Sequence, residues 1–307
     1  MNATESPPGD ERHWPALDAA RLNGAVASRP GVWREVKVVA ETGSTNADLL
    51  AEARSGAPGG LVLVAEAQTA GRGRMGRTWV SPPGCALTFS VLLRPTGVPA
   101  TLLGWLPLLA GVAVASALRD TAGVDARLKW PNDVLVGDAK LAGILAERRA
   151  GAVVIGIGIN VFQRRGELPG PTATSVLREA PGAGPEIRER LLTGVLRELA
   201  HRYRAWLDQP QPGDPDGCGL RQEYLRHSGT VGAAVMVTLP AGQSLTGTAA
   251  GVDAAGRLEI RTGTGLVRVS AGDVVHLRSA DTRPAGQAPP GRAPAGEQGI
   301  SPRSVPA

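Results

Sequence analysis

The chain has 307 residues, 42% of them hydrophobic, with 33 basic and 28 acidic side chains for a formal net charge of +5. That supplies the core of one large domain and a smaller one; the basic residues form no run of the kind that marks nucleic-acid binding, and aromatics at 3% leave no base-stacking platform. The two cysteines, Cys85 and Cys218, belong to no CxxC or Cys/His cluster, which excludes a disulfide framework and a zinc site built on them.

Met1 to Arg12 carries Glu5, Asp10 and Glu11 and lacks a basic end followed by an apolar stretch, so it is unlike a secretory signal. A cytoplasmic location is expected. One short helical patch, Ala16 to Val26, precedes Trp33, and residues 1–34 read as an N-terminal extension. The spacing then predicts a strand at Val36 to Ala40, a helix after Ser44, an apolar strand at Leu61 to Gln68 and a glycine-rich loop from Gly71 to Gly76. Further strands are predicted at Leu87 to Leu93, Arg127 to Trp130, Val134 to Val136, Leu141 to Glu147 and Val153 to Ile159. Between them the apolar run Leu102 to Leu118 is interrupted by Trp105 and Pro107 and flanked by Gly104 and Arg119. It predicts a buried helix over Gly104 to Thr121, not a membrane span.

A second long helix, Glu186 to Leu207, sets Ile187, Leu191, Leu192, Val195, Leu199 and Trp206 at near-helical spacing and ends before a Pro/Gly/Asp linker, Gln209 to Gly219. From Gly232 to Leu277, short alternating runs punctuated by Gly242, Gly256, Gly263 and Gly265 predict a small all-β domain. Beyond Arg278 the Pro/Gly/Ala-rich tail lacks apolar periodicity and is expected to be disordered. The expected domains are 1–34, 35–227, 228–279 and a tail over 280–307.

The loop Gly71-Arg72-Gly73-Arg74-Met75-Gly76 follows a strand and formally satisfies GxGxxG. The dinucleotide reading fails on context: Ser81, Pro82, Pro83 and Gly84 follow where a helix should start, and no carboxylate stands near Arg94 to Thr96. Arg72, Arg74 and Arg77 in a flexible loop instead suit a flap that clamps phosphate and carboxylate oxygens. Lys129 ends an apolar strand before the turn Trp130-Pro131-Asn132-Asp133, and Lys140 precedes Leu141-Ala142-Gly143-Ile144-Leu145-Ala146-Glu147. Gly156-Ile157-Gly158-Ile159-Asn160 adds two glycines, and Ser44-Thr45-Asn46 opens a helix as an N-cap and a binder of a polar head group. His13, His201, His227 and His276 sit in no nucleophile-base motif.

In this order, GRGRMGRTW, KWPNDVLV, KLAGILAE and GIGINV resemble the catalytic domain of biotin-protein ligases, relatives of lipoate-protein ligases, from about Ser44 to Asn160. A looser likeness covers Gly232 to Leu277. The resemblance implies an α+β fold: a mixed-sheet catalytic domain of the class II synthetase-like biotin/lipoate ligase type, followed by a small SH3-like β-barrel. It also implies ATP-dependent activation of biotin to biotinyl-5′-AMP and transfer to a lysine of a biotin carboxyl carrier domain of a biotin-dependent carboxylase, with a lipoate or octanoate ligase as the alternative. The implied site comprises Ser44, Thr45, Asn46, Gln68, Gly71, Arg72, Gly73, Arg74, Lys129, Asn132, Lys140, Gly143, Gly156 and Asn160. Lys129 is assigned to bridge carboxylate and α-phosphate and Arg72 and Arg74 to close over the adenylate, with Arg77 and Lys140 as second choices. Mg²⁺ would arrive on the ATP phosphates, with no protein ligand assigned and no permanently bound cofactor. Trp79 and Trp130 are candidate pocket walls. With about thirty residues, Pro7, Pro8, Pro15 and Pro30 among them, ahead of the catalytic pattern, the chain is expected to be the monofunctional type, without a DNA-binding winged helix. No membrane contact is expected, and a homodimer is left open.

Overall fold

Seven strands make the central sheet of the computed structural model, which describes residues 14–27, 31–239 and 242–277. The tail expected to be disordered lies outside the described residues. The strands are β1 (Glu35–Thr42), β2 (Leu61–Gln68), β3 (Ala86–Leu93), β4 (Arg127–Lys129), β5 (Asp133–Val136), β6 (Ala139–Arg149) and β7 (Ala152–Asn160), arranged β1-β2-β3-β7-β6-β5-β4. Helix α2 (Thr45–Arg54) crosses from β1 to β2, so that pair is parallel, and every other pair is antiparallel. The sheet is mixed, as expected.

Alternation along the strands separates two faces. On β7, Ile155, Ile157 and Ile159 join Leu87, Phe89 and Val91 of β3 in the main core, under helices α3 (Trp105–Ala122) and α5 (Ile187–Leu207). The interleaved positions point the other way. There Leu63, Leu92, Ala152 and Val154 pack against Leu49 and Ala53 of α2 in a second, smaller cluster. Helix α2 covers only part of that outer face. The remainder presents Thr88, Ser90, Gly143, Gly156 and Gly158, joined across the sheet by the pairs Thr88 with Gly158, Gly158 with Gly143, and Ser90 with Gly156. Small and polar residues leave a hollow where apolar ones would have called for a covering helix.

Helix α3 is long and apolar enough to cross a membrane by length and composition. Its length is used inside the protein, where Trp105, Leu109, Val112, Ala113 and Leu118 are wholly buried. Before β1, residues 14–27 pack against the central sheet and its helices. Helix α1 (Ala19–Ala27) brings Asn23 against the edge of β1, where its amide both donates to the Val36 carbonyl and accepts from the Val36 N–H, at 2.8 and 2.9 Å. Trp14 stacks on Phe162 at 3.7 Å, and the Leu17 N–H donates to Glu66, which also pairs at 2.5 Å with Arg188, only 1% exposed.

Two short helices, α4 (Val176–Glu179) and α6 (Leu220–His227), were not anticipated. Only Leu220 and Tyr224 of α6 are buried, a single i,i+4 pair that leaves no readable period. A second, antiparallel sheet follows, built from β8 (Ala234–Thr238), β9 (Ser244–Val252), β10 (Leu258–Thr262), β11 (Gly265–Val269) and β12 (Asp273–His276) in the order β11-β10-β9-β8-β12. The Trp105 and Trp130 indoles donate to the carbonyls of Ala254 and Gly256, at 2.9 and 3.0 Å, fastening the β9–β10 turn to the elements around the central sheet.

Candidate active site

A cavity of about 270 Å³ occupies the uncovered part of the outer face. Ser44, Thr45, Asn46, Gln68, Arg72, Gly73, Arg74, Asn132, Lys140, Gly143, Gly156 and Asn160 all line it, so twelve of the fourteen residues expected in the site are brought together. Gly71 lies just outside, beneath the loop. A Cβ there would stand 2.4 Å from the Trp79 carbonyl oxygen and 2.7 Å from Gln68 Nε2, which is why the position is bare backbone.

Lys129 is not among the residues lining this cavity; its positive charge also acts on His276 of β12, whose imidazole is pushed down by burial and then by Lys129. The row Thr88, Gly158, Gly143, Asp133, Lys129 runs across the sheet, and Lys129 is its end, one strand beyond Asp133 on edge strand β4. The lysine in the cavity is Lys140. Its backbone is clamped by the Thr172 carbonyl and the Thr174 N–H at 2.7 and 2.9 Å, and its Nζ lies 2.6 Å from Asp133 Oδ1. That contact is ionic and not a well-angled hydrogen bond, since Asp133 Oδ1 is buried without a hydrogen-bond partner. Gly143 leaves the track for the side chain: a Cβ would lie 3.2 Å from both Cε and Nζ of Lys140.

The polar end of the cavity is built at the start of α2. Ser44 occupies the N-cap position, but its side chain makes no capping bond. Gln68 Oε1 accepts instead from the Thr45 N–H and hydroxyl, at 2.8 and 3.1 Å. Ser90 Oγ lies 2.7 Å from Thr45 Oγ1 and 2.6 Å from Asn46 Oδ1. Gly156 belongs to the same packing, since a Cβ there would stand 2.3 Å from Asn46 Oδ1. Asn160 donates to the Thr174 carbonyl at 2.9 Å, holding the far wall.

The arginine loop is a small hairpin, with Arg72 bridged to Thr78 and the Trp79 N–H bonded to the Gly71 carbonyl at 2.9 Å; Met75 turns its tip with φ 55°. The three arginines fan out to separate partners. Arg72 reaches Glu147 on β6 at 3.4 Å, Arg74 donates to Asn132 Oδ1 at 3.1 Å, and Arg77 pairs with Asp273 on β12. Burial pulls the Arg74 guanidinium down from its usual value, and the nearby Asp273 and Asp133 work the other way. Arg72, Arg74 and Arg77 line the cavity as positive groups; among the described residues Asp133 is the only carboxylate lining it, and neither histidine nor cysteine does.

Trp79 is a true wall. Its ring lies against the glycine floor, where a Cβ on Gly158 would come within 2.5 Å of it, and its indole N–H is buried without a partner. A donor left unpaired beside a cavity is available to a ligand oxygen. Trp130 is buried in the core and borders a neighbouring cavity of about 600 Å³ that shares Arg74, Asn132 and Ile144 with the first. Thr88 and Ser90 went unremarked in the sequence, and Asp133 and Glu147 were named within motifs but given no place in the site. The signal for the first two was present, as polar residues at alternate positions of the otherwise apolar run Ala86–Leu93.

Comparison with known proteins agrees with this architecture. Residues 38–161 match the biotin/lipoate A/B protein ligase family, and residues 230–277 match the biotin protein ligase C terminal domain. The chain is 45% identical over 273 residues to the biotin--[acetyl-CoA-carboxylase] ligase of Mycobacterium tuberculosis, covering 87% of this chain and 98% of that protein. To the enzyme of the same name from Paracoccus denitrificans it is 34% identical, over 77% of this chain and 98% of that one. Among solved structures, the biotin protein ligase from Aquifex aeolicus in complex with biotin and ATP superposes with a TM-score of 0.66 at 28% identity, covering 80% of this chain and all of that one.

Proposed function

This chain belongs to the biotin protein ligase family, and from that premise we infer that its cavity joins biotin to ATP and hands the product to a protein lysine. The enzyme activates biotin as biotinyl-5′-AMP, releasing pyrophosphate, and transfers the biotinyl group to a lysine of the biotin carrier domain of a carboxylase. The observation that carries the site assignment is the meeting, in one cavity, of an uncharged polar end with a cationic mouth. The first comprises Thr45, Asn46 and Gln68, the second Lys140, Arg72 and Arg74.

The residues divide the chemistry accordingly. The glycine floor and Trp79 suit an apolar bicyclic ring, and Gln68 Nε2, with no partner among the described residues, suits its ureido oxygen. The carboxylate must then approach the α-phosphate, and two anions about 4 Å apart repel by roughly 4 kcal/mol at an effective dielectric near 20. Lys140 and Arg74 line the cavity; Lys140 would lie between the two anions, and Arg74 would offset the charge that builds on the phosphate. The cavity shared through Arg74 and Asn132 gives room for the nucleotide. Magnesium would come on the ATP phosphates. Among the described residues no three His, Cys, Asp or Glu gather into a metal-holding group, so no step is assigned to a resident metal.

In the second step the acceptor amine attacks the acyl carbon, the bond to AMP breaks, and the enzyme's task is alignment. We place the reaction in the cytoplasm, with a carrier domain as the protein partner and no role for DNA. Biotin-dependent exchange of labelled pyrophosphate into ATP, followed by biotin transfer to a purified carrier domain, tests the reading. Exchange with lipoate in place of biotin would overturn the substrate assignment.

A further inference from the structure

We propose that Glu147 is a positioning residue for this reaction: it links the polar end of the cavity to the arginine loop and holds the Arg72 guanidinium across the mouth. The inference rests on the ligase reading above. Glu147 lies near the end of β6 opposite Val154, on the outer face of the sheet but beyond the cavity, and its side chain is about a quarter exposed. Its Oε2 accepts a hydrogen bond from Asn46 Nδ2 at 2.8 Å and lies 3.4 Å from Arg72 Nη2. On its other side, Asn46 presents Oδ1 to Ser90 at 2.6 Å, and Ser90 lies 2.7 Å from the Thr45 hydroxyl, which donates to Gln68 at 3.1 Å. An unbroken run of polar contacts therefore leads from Gln68, inside the cavity, to Arg72 in the loop, with Glu147 as its one carboxylate.

Two features set this pair apart from an ordinary surface ion pair. The first is that one end is fixed. Asn46 is 3% exposed and pressed against the bare backbone of Gly156, so its amide cannot turn to follow a displaced partner, and Glu147 is anchored by it. The second is the donor capacity of Arg72. A guanidinium carries five N–H donors in a rigid fork, so one edge can stay on Glu147 while another meets a ligand carboxylate or phosphate. Held in this way, a half-exposed arginine gives up its rotamer freedom before the ligand arrives rather than on binding, which strengthens ligand retention without touching the bond that is made.

Glu147→Gln keeps an acceptor for Asn46 and removes the charge that holds Arg72. In pyrophosphate exchange the variant should raise the KM for biotin about fivefold, equivalent to roughly 1 kcal/mol, while kcat falls much less, and the adenylate should escape faster by a similar factor. In an Arg72→Ala background the same change should add nothing, because Glu147 acts through Arg72. Glu147→Asp, which keeps the charge, should recover part of the loss and supplies a second variant if the glutamine form folds poorly. Unchanged KM and retention in Glu147→Gln, or an equal loss with Arg72 already absent, would overturn the proposal. A wild-type enzyme showing no biotin-dependent exchange would instead overturn the ligase reading beneath it.

Discussion

Lys140→Ala should all but abolish adenylation, while Lys129→Ala should leave most of it. The magnitude follows from where Lys140 sits. Its ammonium is half-buried, 2.6 Å from Asp133, in a cavity open enough for an effective dielectric near that of a protein surface. Under that screening, bringing a carboxylate to about 4 Å from an α-phosphate costs roughly 4 kcal/mol without a bridging cation. At about 1.4 kcal/mol per decade that is a factor of nearly 1,000. Arg74 stays in the cavity and recovers part of it, so the expected fall is about 100- to 1,000-fold in biotin-dependent pyrophosphate exchange. Lys129 lies at the end of the strand row and does not line the cavity, and its removal should alter exchange by no more than about threefold. Both variants should be compared at saturating biotin and ATP, with thermal midpoints measured alongside. Loss of exchange in Lys129→Ala with retention in Lys140→Ala would refute the assignment and restore the order of the two lysines that the sequence suggested.

Gly158→Ala places a methyl group 2.5 Å from the Trp79 ring, and overpacking of about 1–3 kcal/mol should appear as a biotin KM raised tenfold or more; an unchanged KM would show that the ring is not a wall of the site. Asp273→Asn should release Arg77 from the C-terminal sheet and speed amide exchange across the loop; unaltered exchange over residues 71–78 would mean that the sheet does not restrain it. Trp14→Ala removes the ring stacked on Phe162, which should cost about 2–3 kcal/mol and lower the calorimetric midpoint by roughly 4–12 °C. His276 should make stability pH-dependent. Burial and Lys129 hold its imidazole below the ordinary value, so the unfolded chain takes up the proton first, and this stability is present at neutral pH and is lost as pH falls below about 6.5. Thr230 Oγ1 accepts from the Trp130 N–H and has its own proton for His276 Nε2, at 3.0 Å, a bond that protonation would break. The His276→Gln variant should therefore show a flatter denaturation midpoint between pH 7.5 and 5.5, and a slope equal to wild type would refute it.

What the sequence disclosed was what repeats with a period. Strands β2, β3, β6 and β7 and helices α3 and α5 carry apolar positions that declare themselves, and their predicted limits fall close to the observed ones. The alternation in Gly156-Ile157-Gly158-Ile159-Asn160 held more than was read from it, because the isoleucines mark the core face and the glycines and asparagine mark the floor of the cavity. The choice between Lys129 and Lys140 lay beyond local pattern. Both lysines border strands; the register of β4, β5 and β6, with a shift between Val134 and Leu135, sets Lys129 in one row with Asp133, Gly143 and Gly158, while Lys140 lines the cavity. The integration of residues 14–27 was hidden for a related reason: Trp14, Leu17 and Asn23 act through single contacts with Phe162, Glu66 and Val36, and single contacts leave no period.

The fan of the arginine loop has a consequence for how the two sheets cooperate. Three guanidinium groups within six residues would repel one another if they shared one anion-free cleft, and in this structure each has its own partner: Glu147 for Arg72, Asn132 for Arg74, Asp273 for Arg77. Two of those partners are carboxylates, and they come from different sheets. An incoming carboxylate or phosphate thus meets cations already placed and already partly neutralised, so binding exchanges one set of charge-assisted contacts for another without gathering bare charge. The C-terminal sheet contacts the arginine loop through Asp273 as directly as β6 does through Glu147. The separation into domains visible in the sequence is therefore not a separation of function, because the loop that covers the cavity is held from both sides.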